Sequence, residues 1–130
     1  MRNGRASPEV ERLAHEVIDA AIEVHRTIGP GFLESVYENA LCVELELRDI
    51  PFSRQHPIVL TYKDHNIGEG RLDILVDDQL VVELKAVDAL QPIHCAQVLS
   101  YLKVTGCELG LLINFNVPVL PKGIKRIILN

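Results

Sequence analysis

Apolar residues recur at helical spacing early in the chain. Val10, Leu13, Ala14, Val17, Ile18, Ala21, Val24 and Ile28 fall three or four apart, so one stripe of a helix is apolar. Ser7 and Pro8 begin it as N-cap and first helical residue, with Glu9 and Glu11 at its positive end. Gly29 and Pro30 end it. A second helix is expected from about Leu33 to Arg48. On it, Tyr37, Ala40 and Leu41 share a face with Glu34, through spacings of three, four and seven. The stretch 49–57 reads as a connection. The period then shifts toward two. "IVLTY" (58–62), "GRLDILV" (70–76) and "LVVELKA" (80–86) read as strands, separated by the turns "KDHN" and "DDQ", which makes an antiparallel meander. Residues 92–106 read as a helix stopped by Gly106. Residues 109–115 read as a buried strand, 117–123 as a loop, and 124–129 as a basic edge strand.

Strand alternation places the charges. Val81, Glu83 and Lys85 point one way, while Val82, Leu84 and Ala86 point toward a core. If Asp77, Asp78 and Gln79 form a three-residue turn, Val76 pairs with Leu80 and Asp73 lies opposite Glu83. Directly opposed residues have Cβ atoms roughly 4.5–5.5 Å apart. Two carboxylates at that distance need a proton, a cation or a metal between them. Mg²⁺ or Mn²⁺ favours such oxygen ligands, and a neighbouring lysine can position or deprotonate a water. The competing reading is a solvated charge ladder, and a turn one residue shorter or longer would shift the register. Gln97 and Tyr101 lie one helical turn apart on a helix that follows the third strand closely. Glu34 offers a third carboxylate, although an acid in a first helical turn is favourable there without further function.

Composition narrows the classes. The chain has 130 residues, 48% hydrophobic and 24% charged, as expected for one globular domain over residues 1–130. No apolar run approaches the roughly 20 residues of a membrane span, and the first residues lack the apolar core of a secretory signal. The default expectation is therefore a cytoplasmic protein that does not enter a membrane. Three cysteines (Cys42, Cys95 and Cys107) without a CxxC pair argue against a disulfide framework or a structural zinc and read as buried thiols. A net charge of −5 gives no bulk field for duplex DNA, yet it suits an acidic metal site.

The ordered set of an early helical acid, Asp73, Glu83-x-Lys85 and Gln97-x-x-x-Tyr101 resembles the PD-(D/E)xK nuclease superfamily. Its Q-x-x-x-Y element is similar to that of the branch with RecB-type exonuclease domains. "GFLESVY" (31–37) resembles the G-x-x-E-x-x-Y signature of a small family placed in that superfamily. The resemblance covers about residues 10–115. It implies an α/β, restriction-endonuclease-like αβββαβ core with a mixed central sheet flanked by helices, here with an extra N-terminal helix and an extra C-terminal strand. It also implies a metal-dependent nuclease. Asp73 and Glu83 would be metal ligands, assisted by the Leu84 carbonyl, with Glu34 binding directly or through water. Lys85 would orient or activate the attacking water. Gln97 and Tyr101 would position the metal shell or a substrate phosphate. The implied cofactor is Mg²⁺ (or Mn²⁺) and the partner is nucleic acid, DNA ahead of RNA. A homodimer would enlarge the binding surface. Leu72 stands where the family name has proline. The alternative is a catalytically silent module of the same fold that binds nucleic acid or a protein.

The remaining polar residues read more plainly. His15, His25, His56, His65 and His94 show no ligand spacing. Residues 63–70 could form a loop at a substrate entrance, but read first as turns. Lys122, Lys125 and Arg126 form a small basic cluster, a solvated edge first and a phosphate contact second.

Overall fold

The computed structural model describes residues 4–129. Two helices, α1 (Pro8–Ile28) and α2 (Glu34–Leu47), precede β1 (Phe52–Tyr62), β2 (His65–Val76) and β3 (Leu80–Lys85). Then come α3 (Pro92–Thr105), β4 (Leu109–Asn114), a 3₁₀ turn over Leu120–Gly123, and β5 (Ile124–Ile128). The five strands form one sheet in chain order, β1-β2-β3-β4-β5. Only β3 and β4 pair in parallel, and α3 is their crossover; the other neighbours are antiparallel. This is the expected mixed sheet flanked by helices, with the extra helix and the extra edge strand in place.

Each face of the sheet carries its own core. Ile74, Val82, Leu84, Leu111 and Ile113 pack with α1 and α2 through Val17, Leu41 and Leu45. Leu72, Leu75, Val81 and Leu112 pack with α3 through Val98 and Leu102. The face that holds Glu83 is therefore not an outer face, as a single core behind Val82 and Leu84 would make it. Burying both faces accounts for the oily sequence of β3 and β4. At Gly110, an added Cβ would come within 2.6 Å of the Val98 Cγ1 atom, so α3 sits close on β4.

Several boundaries differ from the sequence expectation. β1 begins at Phe52 rather than at residue 58: Phe52 pairs with Val76, Ser53 with Leu75 and Arg54 with Ile74. This half-strand is polar and ends on Pro57, which an edge strand tolerates, so it carries no period-two apolar signal. β2 begins at His65 because the turn is only Lys63-Asp64, with φ of 47° and 67°, a left-handed pair suited to a two-residue hairpin. Residues 63–70 are thus mostly ribbon rather than loop. Ser7 holds the N-cap position of α1 without a side-chain cap bond; instead the Ala6 N–H donates to Glu11 Oε2 at 2.8 Å. Cys42 and Cys107 are buried, whereas Cys95 is only half-buried.

Candidate active site

The β2–β3 ladder holds the expected register, with Val76 on Leu80, Leu75 on Val81 and Ile74 on Val82. It stops there, one residue short of Asp73 and Glu83. Beyond that point β3 continues against β4 as far as Lys85 and Asn114, while β2 continues against β1. The two strands part, and side chains replace the main-chain bonds. The Asp73 N–H donates to Glu83 Oε1 at 2.9 Å, and the Leu84 N–H donates to Asp73 Oδ2 at 2.8 Å. Each carboxylate is thereby anchored to the backbone of the opposite strand.

The two carboxyl groups also hydrogen-bond to each other, sharing a proton. Glu83 is only 5% exposed. Burial first, and then the Asp73 charge, push its carboxyl up to about 8. Asp73 is raised by burial, with the Glu38 charge adding to it and the Leu84 N–H opposing it. The Lys85 ammonium works against these shifts in Asp73, Glu83 and Glu34 alike.

Two helices bring the remaining predicted residues toward this point. From α3, Gln97 Nε2 donates to the Tyr101 hydroxyl at 3.1 Å. Burial and then the Glu83 charge raise the Tyr101 hydroxyl, which places Tyr101 beside the carboxyl pair. From α2, Glu34 is raised by burial and then by the Asp73 charge. Glu34 is nonetheless an exposed residue at the head of its helix, not a member of the buried face with Tyr37 and Leu41. Among the described residues, no three His, Cys, Asp or Glu side chains stand close enough to cage a metal. The convergence expected of three acids is therefore a tight pair, Asp73 and Glu83, with Glu34 at its margin.

Tyr37 has a structural part in "GFLESVY". Its hydroxyl donates to the Gly29 carbonyl at 2.6 Å and accepts from the Phe32 N–H at 3.1 Å, and its ring stacks on Phe115. Gly31, at φ 103°, takes a backbone conformation that glycine accepts most readily. Together they fix the loop that delivers Glu34.

Sequence reasoning missed Glu38, Arg54 and Gln55. Glu38 is buried and accepts from Arg54 Nε and Gln55 Nε2, each at 2.8 Å; Arg54 also bonds Asn39. Glu38 lies one turn after Glu34 on α2, a spacing that could have revealed it. Gln55 sits at φ 49° opposite Asp73, where the β1–β2 ladder skips a pair, and no local pattern announces that. The histidines take structural parts. His25 Nε2 bonds the Val117 carbonyl, His56 bonds Ser53, and His94 Nδ1 accepts the Gln91 N–H at the start of α3.

The donor set fits a hard divalent cation. Two carboxylates are held together by backbone N–H groups and cannot both ionise without a positive charge between them. No helix among the described residues is long and apolar enough to cross a membrane. A family model described as the PD-(D/E)XK nuclease superfamily matches residues 11–127. Neither the curated proteins nor the solved structures provide a match to the chain.

Proposed function

The chain belongs to the PD-(D/E)XK nuclease superfamily, and on that premise we propose that it is a Mg²⁺- or Mn²⁺-dependent nuclease acting on nucleic acid, DNA ahead of RNA. The observation that carries this reading is the crossed anchoring of Asp73 and Glu83 where β2 and β3 part, two residues from Lys85. Asp73 and Glu83 hold the cation, the Leu84 carbonyl stands beside them, and Glu34 reaches it directly or through water. When bound, the cation offsets charge on phosphoryl oxygens. Lys85 orients a water and takes up its proton as the water oxygen bonds to phosphorus and the P–O3′ bond breaks. The departing 3′-oxygen takes a proton from solvent. Gln97 and Tyr101 steady the phosphate or the metal shell. The Gly31, Glu34 and Tyr37 geometry supports placement in the G-x-x-E-x-x-Y family, and one domain over 1–130 accommodates all of these parts.

Asp73→Ala, Glu83→Ala and Lys85→Ala are each expected to lower cleavage of DNA or RNA by on the order of 10³-fold, with the circular dichroism spectrum unchanged. Wild type that cuts no single-stranded or duplex nucleic acid with either metal would defeat the proposal. The second reading, a silent binding module, is favoured by the exposure of Glu34. It predicts no divalent binding that depends on Asp73 and Glu83 in calorimetry.

A homodimer is the assembly we favour, through the outer face of α2. Leu33, Val36, Ala40, Val43 and Leu47 follow a three-four spacing there, and Leu33 and Leu47 are 75% and 74% exposed. The opposite face holds Tyr37, Leu41 and Leu45. A helix apolar on both sides is built for burial on both sides. Set antiparallel against a second copy, Val36 meets Leu47 and Ala40 meets Val43, and no two like charges face each other. Sedimentation should show a dimer for wild type and a folded monomer for Val43→Glu. Monomeric wild type would exclude this assembly.

A further inference from the structure

The three basic residues near the C-terminus separate in the fold. Arg126 pairs with Leu111 and turns to the α1 side, where its guanidinium binds Glu11 at 2.8 Å. Lys125 pairs with Leu112, and Leu112 pairs with Glu83. Directly paired residues share a face, so Glu83, Leu112 and Lys125 form one row across three strands on the α3 side. Two interstrand spacings of roughly 4.8 Å put the Lys125 Cα about 10 Å from that of Glu83.

The next row begins with Lys85, which pairs with Asn114. The register of Ile113 on Ile124 continues it to Gly123. Gly123 cannot carry a side chain here, because a Cβ would collide with the Asn114 carbonyl. A cleft of about 290 Å³ opens over Asn114 and Gly123, walled by Lys122, Lys125 and Asp88. Its floor is fixed. Asn114 is 2% exposed, and its side chain accepts the Val87 N–H at 3.1 Å and donates to the Val87 carbonyl at 2.9 Å. Neither lysine is among the cations of the described ion pairs, so two ammonium groups face a single acid, Asp88.

We propose that this cleft binds a backbone phosphate of the nucleic-acid strand, flanking the scissile one, with Lys122 and Lys125 as its cations. The proposal rests on the nuclease reading. Its substrate is a strand because the cleft continues the rows that carry Glu83 and Lys85. Charges recur every 3.4 Å along one strand of a duplex, so a separation of about 10 Å lies within about three nucleotides. Lysines act here as point charges, which position a strand without reading its sequence. The cleft thus gives an otherwise acidic protein a local hold on its substrate.

The test is the double variant Lys122→Gln/Lys125→Gln, with binding of a fluorescein-labelled single-stranded 12-mer read by anisotropy over a range of salt, in EDTA and in Ca²⁺. The variant should bind more weakly, with a salt slope shallower by about 1.4, or about 0.7 for each lost phosphate contact. In Mg²⁺ its KM for a long oligonucleotide should rise while kcat holds. Hydrolysis of bis(p-nitrophenyl) phosphate, too small to span the rows, should not change. An unchanged slope overturns the proposal, as does an equal loss on the small diester or wild type that fails to bind the 12-mer in either condition. Binding that depends on the lysines without cleavage of any substrate would uphold the cleft and sink the nuclease reading instead.

Discussion

The two ends of the β2–β3 hairpin solve opposite problems with the same backbone. At the turn, Val76, Leu80, Leu75, Val81, Ile74 and Val82 are all buried and paired through a regular ladder. One residue further on, the ladder ends, and Asp73 and Glu83 occupy the gap with carboxylates bonded to backbone N–H groups. The turn end gains stability from apolar burial on both faces. The open end gives up main-chain pairing to hold two like charges together, which makes it the part of the sheet with an electrostatic need. A rigid ladder beside a gap is what a site needs to stay within tenths of an ångström of its working geometry.

The contrast can be broken most strongly by mutation. Leu80→Ala removes a fully buried side chain and should cost about 2–5 kcal/mol, read by urea denaturation, while leaving divalent binding intact in the folded fraction. Glu83→Gln should do the reverse. It relieves the repulsion with Asp73, so metal-free stability at neutral pH should hold or rise, while divalent binding and cleavage are lost. If Glu83→Gln unfolds the protein, the carboxyl pair is a structural keystone and the contrast fails.

A gentler probe is pH. The Glu83 carboxyl is raised from 4.5 to about 8 in the folded chain, so between those values the folded state holds a proton that the unfolded state has lost. Stability in EDTA should therefore fall as pH rises from about 4.5 to about 8. Glu83→Gln should flatten that slope, and saturating Mg²⁺ should offset it by stabilising the folded state. A flat profile in metal-free wild type would mean that the pair is solvated.

The smallest effect belongs to an ordinary surface pair far from the gap. Arg126, first among the causes, holds Glu11 down at about 2, so its contribution is present above about 4.5 and fades as pH falls toward about 2. Because the pair is partly exposed, Arg126→Ala should cost only about 0.2–1 kcal/mol at neutral pH. It should also remove that acid-side loss, as thermal melts across the acid range would report.

Much of this was legible from local pattern. The order of elements followed from apolar periods and from punctuation at Ser7-Pro8, Gly29-Pro30 and Gly106. The alternation of "LDILV" and "VVELK" around a three-residue turn put Asp73 opposite Glu83, and the structure keeps that register. A four-residue spacing joined Gln97 to Tyr101. The polar half of β1 was not legible, because an edge strand flanked by prolines needs no apolar alternation. Glu38 was missed because its partners, Arg54 and Gln55, lie 16 and 17 residues away.

Sequence alone thus determined the elements, the hairpin register and the pairing of two carboxylates, since each depends on spacings of a few residues along one strand, turn or helix. Tertiary structure decided where the β2–β3 ladder stops, that Glu34 stands exposed at the margin, and that Arg126 and Lys125 serve opposite faces. Those outcomes depend on how β2 follows β1 while β3 follows β4, and on which helix covers each face. Contacts between distant segments set that balance, and no local spacing encodes it.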